Sequence, residues 1–279
     1  MSSIPRVFHF VYGLRPQSAP FPLLHYLCLK SCLEVNRPER IEFHTMNLPW
    51  GEWWERIAPS LELRRIDRGN AIDLNARYAN SAEGIFIRRH SLEYAHQSDF
   101  LRLEILLENG GVYADIDTLF VEPVPENLYK HDFVMAPEGL RASPAADGSI
   151  ETLGNALMMS APESAFAQRW YERMFAVFDG TWNRHSCVEA ALVARDNPRE
   201  ITVVPTRLFF AVPPTREGIA RLFLPSREVL DGVNSLHLWE HLWESPERRD
   251  FSSFHRHMVT PAYVSAGRSL YARLASRFL

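Results

Sequence analysis

The chain has 279 residues, with 30 Lys and Arg against 34 Asp and Glu, a formal charge of −4. That balance excludes a general nucleic-acid binder, which needs a cationic footprint. A content of 46% hydrophobic and 12% aromatic residues excludes a disordered chain. In chain order, residues 6–12 are β-branched and aromatic and stop at Gly13, which predicts a buried first strand. Residues 16–22 read as a loop, 23–35 carry Leu23, Leu27 and Val35 near helical spacing, and 40–46 alternate as a second strand. A Trp-rich helix over 50–58 and a short strand over 61–67 complete the order of a doubly wound α/β sheet.

Residues 91–108 form the best helix, with Leu92, Leu103, Ile105, Leu106 and Leu107 and neither Pro nor Gly. It ends at Asn109-Gly110-Gly111, where glycine supplies the left-handed residue that closes a helix. Residues 112–121 predict a strand stopped by Pro123 and Pro125. The Pro-, Gly-, Ala- and Ser-rich stretch 136–155 predicts a long surface loop of the kind used as a lid or binding element. Helices over 163–178 and 186–194, a strand over 201–204 and a last helix over 266–278 close the pass. Three cysteines cannot all pair, the N-terminus has no basic and apolar leader, and no uncharged apolar run reaches bilayer length. The expectation is a soluble, cytoplasmic protein with a single domain over 1–279.

Asp115 and Asp117 lie two apart in the predicted strand, so their carboxylates leave one face roughly 7 Å apart. Two such groups suit a hard divalent cation, Mn²⁺ or Mg²⁺, shared with a diphosphate. A solvated strand end explains the bare pair equally well. Val112, Ala114 and Ile116 alternate with Tyr113, Asp115 and Asp117, which gathers the polar groups on one face. Asp99 and Arg102, three apart on the preceding helix, share a face, as an ordinary helix ion pair also would.

Taken together, Ser98-Asp99-x-x-Arg102, the helix, Gly110-Gly111-x-Tyr113 and Asp115-x-Asp117 resemble the DXD sugar-binding region of family 32 glycosyltransferases. That family holds α1,4-glycosyltransferases, capsular-polysaccharide enzymes and initiating mannosyltransferases, and is related to the glucosylating domain of large clostridial toxins. The matching core covers residues 95–123. The resemblance implies a GT-A-type, Rossmann-like α/β fold with a mainly parallel sheet flanked by helices. Residues 1–135 would form the nucleotide-sugar half, and 136–279 the acceptor half with a C-terminal return to the metal. It implies transfer of a hexosyl group, with retention, from a nucleotide sugar (a UDP-sugar) to a hydroxyl of a glycan, lipid, protein or small metabolite.

By the same resemblance, Asp117 binds the metal, while Asp115 serves the donor ribose or sugar and shares the metal. Asp99 and Arg102 hold donor-sugar hydroxyls, and Tyr113 supports the nucleotide. Residues 4–13 resemble the family's first strand, which places Val11 and Tyr12 with the donor, Tyr12 stacked on its base or else packed in the core. His9 packs in the sheet. Residues 155–162 resemble a later family strand and put Asn155 beside the donor or acceptor. Residues 234–239 resemble the family's returning His-x-Trp segment, in which His237 contacts the metal and Trp239 reaches the diphosphate. Imidazole is an acceptable Mn²⁺ ligand. The chain departs from the family at 185–190, where many members carry Gly-Pro-Gly near the acceptor, and the membrane anchor of eukaryotic members is expected to be absent.

Two other readings stay open. His237-x-x-Glu240-His241 matches the inverted zinc-protease motif, with two histidines four apart on a helix and Glu as base. A sugar- or nucleotide-binding module without turnover is the other. His255-x-His257 reads as exposed, Cys28 and Cys32 as small core residues, and Trp50, Trp53 and Trp54 as core or a sugar-binding surface. The basic, amphipathic segment 268–279 docks on the domain or lies weakly on a membrane surface.

Overall fold

The structure is a computed structural model that describes residues 3–67, 86–144, 148–243 and 254–279. Strand β1 (Val7–Val11) is buried along its whole length, as a central strand covered on both faces must be. β2 (Arg40–Thr45) pairs parallel with it, and β3 (Glu62–Arg65) pairs parallel with β2 at the edge. On the other side of β1 lies β4 (Gly111–Ala114), also parallel. β5 (Thr118–Phe120) leaves this sheet. β6 (Phe133–Ala142) and β7 (Ile150–Ser160) form an antiparallel hairpin joined through β7 to β4, and β8 (Thr202–Val203) adds parallel to β6. The sheet order is β3-β2-β1-β4-β7-β6-β8. The expected α/β architecture, a mainly parallel sheet flanked by helices, holds.

Period-two alternation splits the core between the sheet's two faces. Phe8, Phe10, Phe43 and Val112 pack with helix α1 (Leu23–Ser31) on one side. Tyr113, Met135 and Met158 pack on the other with Phe100 and Leu103 of α3 (Phe86–Asn109) and Trp170 of α4 (Ala165–Val177). A short helix α2 (Glu52–Ile57) covers the first face near β2. α3 turns into β4 through Gly110 and Gly111, at φ 63° and 103°. A Cβ on Gly111 would stand 2.5 Å from the Val7 carbonyl oxygen, so this close approach requires glycine.

Several sequence expectations change. Residues 112–121 are not one strand. β4 stops at Ala114, the Thr118 N–H closes a turn on the Asp115 carbonyl at 2.9 Å, and β5 pairs antiparallel with β9 (Ser235–His237). Aspartates favour such turns because their side chains bond locally and tolerate the geometry. The 136–155 stretch is a hairpin rather than a surface loop, apart from 145–147, which lie outside the described residues. Its register shifts after Val134 and after Pro137, which lets Pro137 and Gly139 sit in a strand. The last helix divides into Pro261–Ala266 and Leu270–Ala275 around Gly267 at φ 59°. Leu270, Tyr271, Ala275 and Phe278 are buried, so this segment docks on the domain. His255 is buried although it was expected to be exposed, whereas His257 is exposed. Cys28 and Cys32 are core residues as expected, while Trp50 is half exposed and Trp54 buried. The Leu92 side chain lies outside the described residues. Among those described, no helix is long and apolar enough to cross a membrane.

Candidate metal and donor site

The break between β4 and β5 builds the centre. Asp115 and Asp117 sit on the turn, and the pairing of Thr118 with His237 brings the end of β9 against it. The Leu238 N–H bonds the Asp117 carbonyl at 3.0 Å and the Asp115 N–H bonds the Ala156 carbonyl at 2.8 Å, fixing the turn from both sides. His237 Nε2 lies 3.2 Å from Asp117 Oδ1 and 3.8 Å from Asp115 Oδ2. One ligand atom from each residue falls within 4.8 Å of the others. The turn therefore draws the carboxylates together more closely than the roughly 7 Å expected of one strand face.

The electrostatics follow from this convergence. Burial alone would raise Asp117, but His237 and the Glu240 N–H outweigh it and hold the carboxyl well below its usual range. Burial pushes Asp115 up. Burial would lower His237, yet Asp117 and Asp115 raise it. Two carboxylates and an imidazole whose donor atoms converge this tightly favour a positive charge between them. The oxygen, oxygen, nitrogen set fits Mn²⁺ or Mg²⁺, whose bonds of about 2.1 Å put neighbouring ligands roughly 3 Å apart.

A second group adjoins the first. Arg102 is buried, and its Nε donates to the Ser98 carbonyl at 3.1 Å, Nη1 to the Asn155 carbonyl at 2.8 Å and Nη2 to Ser98 Oγ at 3.2 Å. The same Nη2 lies 3.2 Å from Asp99 Oδ1 and 3.5 Å from Asp115 Oδ1. Its guanidinium carbon stands 4.8 Å from the Tyr113 ring centroid, and the Tyr113 hydroxyl donates to Asp115 Oδ1 at 2.8 Å. Asp99 in turn accepts from Asn155 Nδ2 at 2.7 Å and from His185 Nε2 at 3.0 Å. The Asp99–Arg102 pair is thus no ordinary surface ion pair. It joins Asn155 and Tyr113 to the Asp115–Asp117 turn, and the structure brings Asp99, Arg102, Tyr113, Asp115, Asp117, Asn155 and His237 into one connected cluster.

The remaining predicted residues occupy quieter places. Val11 is buried at the end of β1. Tyr12 packs edge-on against Phe21 and His25 at centroid distances of 5.2 Å, and its hydroxyl donates to Gln17 at 2.8 Å. Trp239 is buried, its indole N–H donates to the Val212 carbonyl at 2.8 Å, and its ring lies 4.0 Å from His237.

The inverted zinc motif fails on geometry. His237 ends a strand, Glu240–Leu242 is a single 3-10 turn, and Trp239 between them is left-handed. No helix places His237 and His241 on one face. His241 lies beside Trp182, 5.2 Å between ring centroids, while Glu240 bonds His25.

Sequence reasoning gave His185 and His25 no role and read Glu240 only as the base of the inverted zinc motif. The 185–190 departure from the family pattern was the one signal, because it places His185 on Asp99. A further group, His9, Glu42 and His44, also converges. There His9 donates Nε2–H to the Gly110 carbonyl at 2.9 Å and accepts from His44 at 3.1 Å, while Arg40 and Arg64 match the Glu42 charge. These bonds account for the group without a cation, and His9 packs in the sheet as expected.

Fold and site together show an α/β protein in which two aspartates and a histidine, able to hold a cation, converge beside a buried Arg–Asp pair. Residues 28–134 match the family model of the glycosyltransferase sugar-binding region containing the DXD motif. The chain is similar to glucan organizing enzyme 1 of Cryptococcus neoformans var. grubii, 33% identical over 215 residues, which cover 74% of this chain and 54% of that protein. It is also similar to subversion of eukaryotic traffic protein A of Legionella pneumophila, 35% identical over 86 residues, 29% of this chain and 12% of that protein. Among solved structures, the PaToxG glycosyltransferase aligns with a TM-score of 0.45 at 13% identity over 70% of each chain. The chain spans about half the length of the first relative and far less of the second. The sugar-binding-region match takes in Asp99, Arg102, Tyr113, Asp115 and Asp117.

Proposed function

We propose that the chain is a divalent-cation-dependent hexosyltransferase of the family 32 kind. It moves a sugar from a nucleotide sugar, a UDP-sugar, to a hydroxyl acceptor with retention. The convergence of Asp115, Asp117 and His237 carries this reading. Those three residues would hold Mn²⁺ or Mg²⁺, which when bound neutralises charge on a departing diphosphate.

The chain's own groups do the rest. Arg102, pinned by Ser98 and Asn155, is a fixed positive charge beside the diphosphate position and needs no reorganisation as charge develops. Asp99, oriented by Asn155 and His185, is assigned to donor-sugar hydroxyls. Tyr113 orients Asp115 through its hydroxyl, and burial keeps that phenol protonated and donating. Val11 and Tyr12 border the base end, and Trp239 backs His237. A panel of UDP- and GDP-sugars with and without Mn²⁺, followed by free-nucleotide release, tests the assignment. Cation-dependent release from at least one donor is expected, and binding of a donor with no release in any acceptor mixture would return the chain to a non-catalytic module.

A further inference from the structure

Glu240 has no part in the transfer just described, yet it is a buried carboxylate engaged on both oxygens. Oε2 accepts from His25 Nε2 at 2.6 Å, and Oε1 accepts from Arg256 Nη1 at 3.2 Å. A buried charge needs such partners to be tolerated. The backbone of the same residue serves the cation centre. The Glu240 N–H donates at 2.8 Å to Asp117 Oδ2, the oxygen opposite the one facing His237.

The path into Glu240 is unusual. Trp239 stands at φ 55° and ψ 41°, a left-handed conformation that bulky residues rarely adopt. Its indole bond to Val212 and its packing on His237 hold it there. The left-handed residue turns the chain out of β9 at once, so that the next N–H points back at Asp117. Strain of this kind persists only where surrounding contacts determine it. Here those contacts are the Trp239 indole on one side and the Glu240 carboxylate on the other.

We propose that Glu240 is the positioning residue of the cation centre. Anchored by His25 on α1 and by Arg256, it fixes Asp117 Oδ2 through its N–H and leaves Oδ1 to face the cation beside His237 and Asp115. The assignment rests on reading that centre as a cation site. A hydrogen bond to one carboxylate oxygen orients the group so that the other is presented to a cation, and outer-shell partners of this kind commonly set affinity by about 10–100-fold.

The test is Mn²⁺ binding by isothermal titration of the full chain, with circular dichroism to confirm folding. Glu240→Gln keeps the backbone N–H and the side-chain size but removes the charge that anchors the turn, and the Mn²⁺ Kd should rise about 10–100-fold. His25→Leu removes the donor from a different element and should weaken Mn²⁺ in the same way. His25→Gln restores an N–H at similar reach and should return the Kd close to wild type, a rescue that a merely structural role would not produce. Should Glu240→Gln fail to fold, the two His25 variants decide. A wild-type chain that binds no Mn²⁺ removes the cation-site reading itself. Wild-type binding with Glu240→Gln and His25→Leu unchanged overturns the clamp alone, as does equal weakening in His25→Leu and His25→Gln.

Discussion

Arg102→Ala separates a buried organising cation from an ordinary helix ion pair. An exposed pair three residues apart contributes about 0.3–0.5 kcal/mol. Arg102 instead is buried, makes three hydrogen bonds to Ser98 and Asn155 and stands 3.2 and 3.5 Å from Asp99 and Asp115. Its removal strands two carboxylates without their nearest positive charge, and breaking a buried pair in this one-sided way costs about 3–5 kcal/mol. At about 2–4 °C per kcal/mol for a chain of this size, Tm should fall by roughly 6–20 °C. Arg102→Lys keeps the charge but not the planar fork, so its Tm should lie between the two. Calorimetry at neutral pH without added metal reads both shifts. A loss of about 2 °C or less in Arg102→Ala, the range of a surface pair, would refute the assignment of Arg102 as the hub of the site.

Asp115→Asn should fold and lose most Mn²⁺-dependent nucleotide release, because the amide nitrogen cannot ligate and the Tyr113 hydrogen bond no longer meets a carboxylate. Release at the wild-type rate would remove Asp115 from the site. Acid should destabilise the chain through the His9–Glu42–His44 group. Burial holds His9 down to about 4 and, with His9 beside it, His44 down to about 3, against 6.5 in the unfolded chain. For Glu42, burial pulls upward, but Arg64 and Arg40 prevail and bring it from 4.5 to about 2. Each folded value lies below the unfolded one, so the unfolded state binds more protons as pH falls. The histidine contribution is present above pH 6.5 and lost toward pH 3–4, and that of Glu42 is lost between 4.5 and about 2. The two histidines are in contact and titrate as a pair. Urea midpoints should therefore fall steadily from pH 7 to 4.5, and the slope should flatten in His9→Gln. A midpoint independent of pH over that range would contradict the reading.

The site's core was legible because it is local. Asp99, Arg102, Tyr113, Asp115 and Asp117 lie on one helix, one turn and one strand, and the spacing of each element fixes what it presents. His237 was linked to the two aspartates through its resemblance to a returning segment, and the β5–β9 pairing is what puts it opposite Thr118. The sheet's first half was readable from the apolar run of β1, which is buried throughout, and from the alternation in β2. The β6–β7 hairpin was not, because its bulges break the period of two and admit Pro137 and Gly139. Nor was the break at Asp115, where turn chemistry competes with an alternation that continues through Ile116. The contacts of His185 with Asp99 and of Glu240 with His25 were not legible for a different reason. The partners lie 86 and 215 positions apart, and no local pattern encodes contacts of that kind.

The central claim is that Asp115, Asp117 and His237 hold a divalent cation for a nucleotide-sugar donor. Electron paramagnetic resonance of Mn²⁺ with the wild-type chain and with Asp117→Asn, each with and without UDP, tests it most directly. The account predicts that wild type removes free Mn²⁺ from solution, more strongly with UDP present. It also predicts that Asp117→Asn, still folded, does so at least about 100-fold less well, since losing a direct ligand exceeds the effect of an outer partner. Equal binding by both chains would contradict the account.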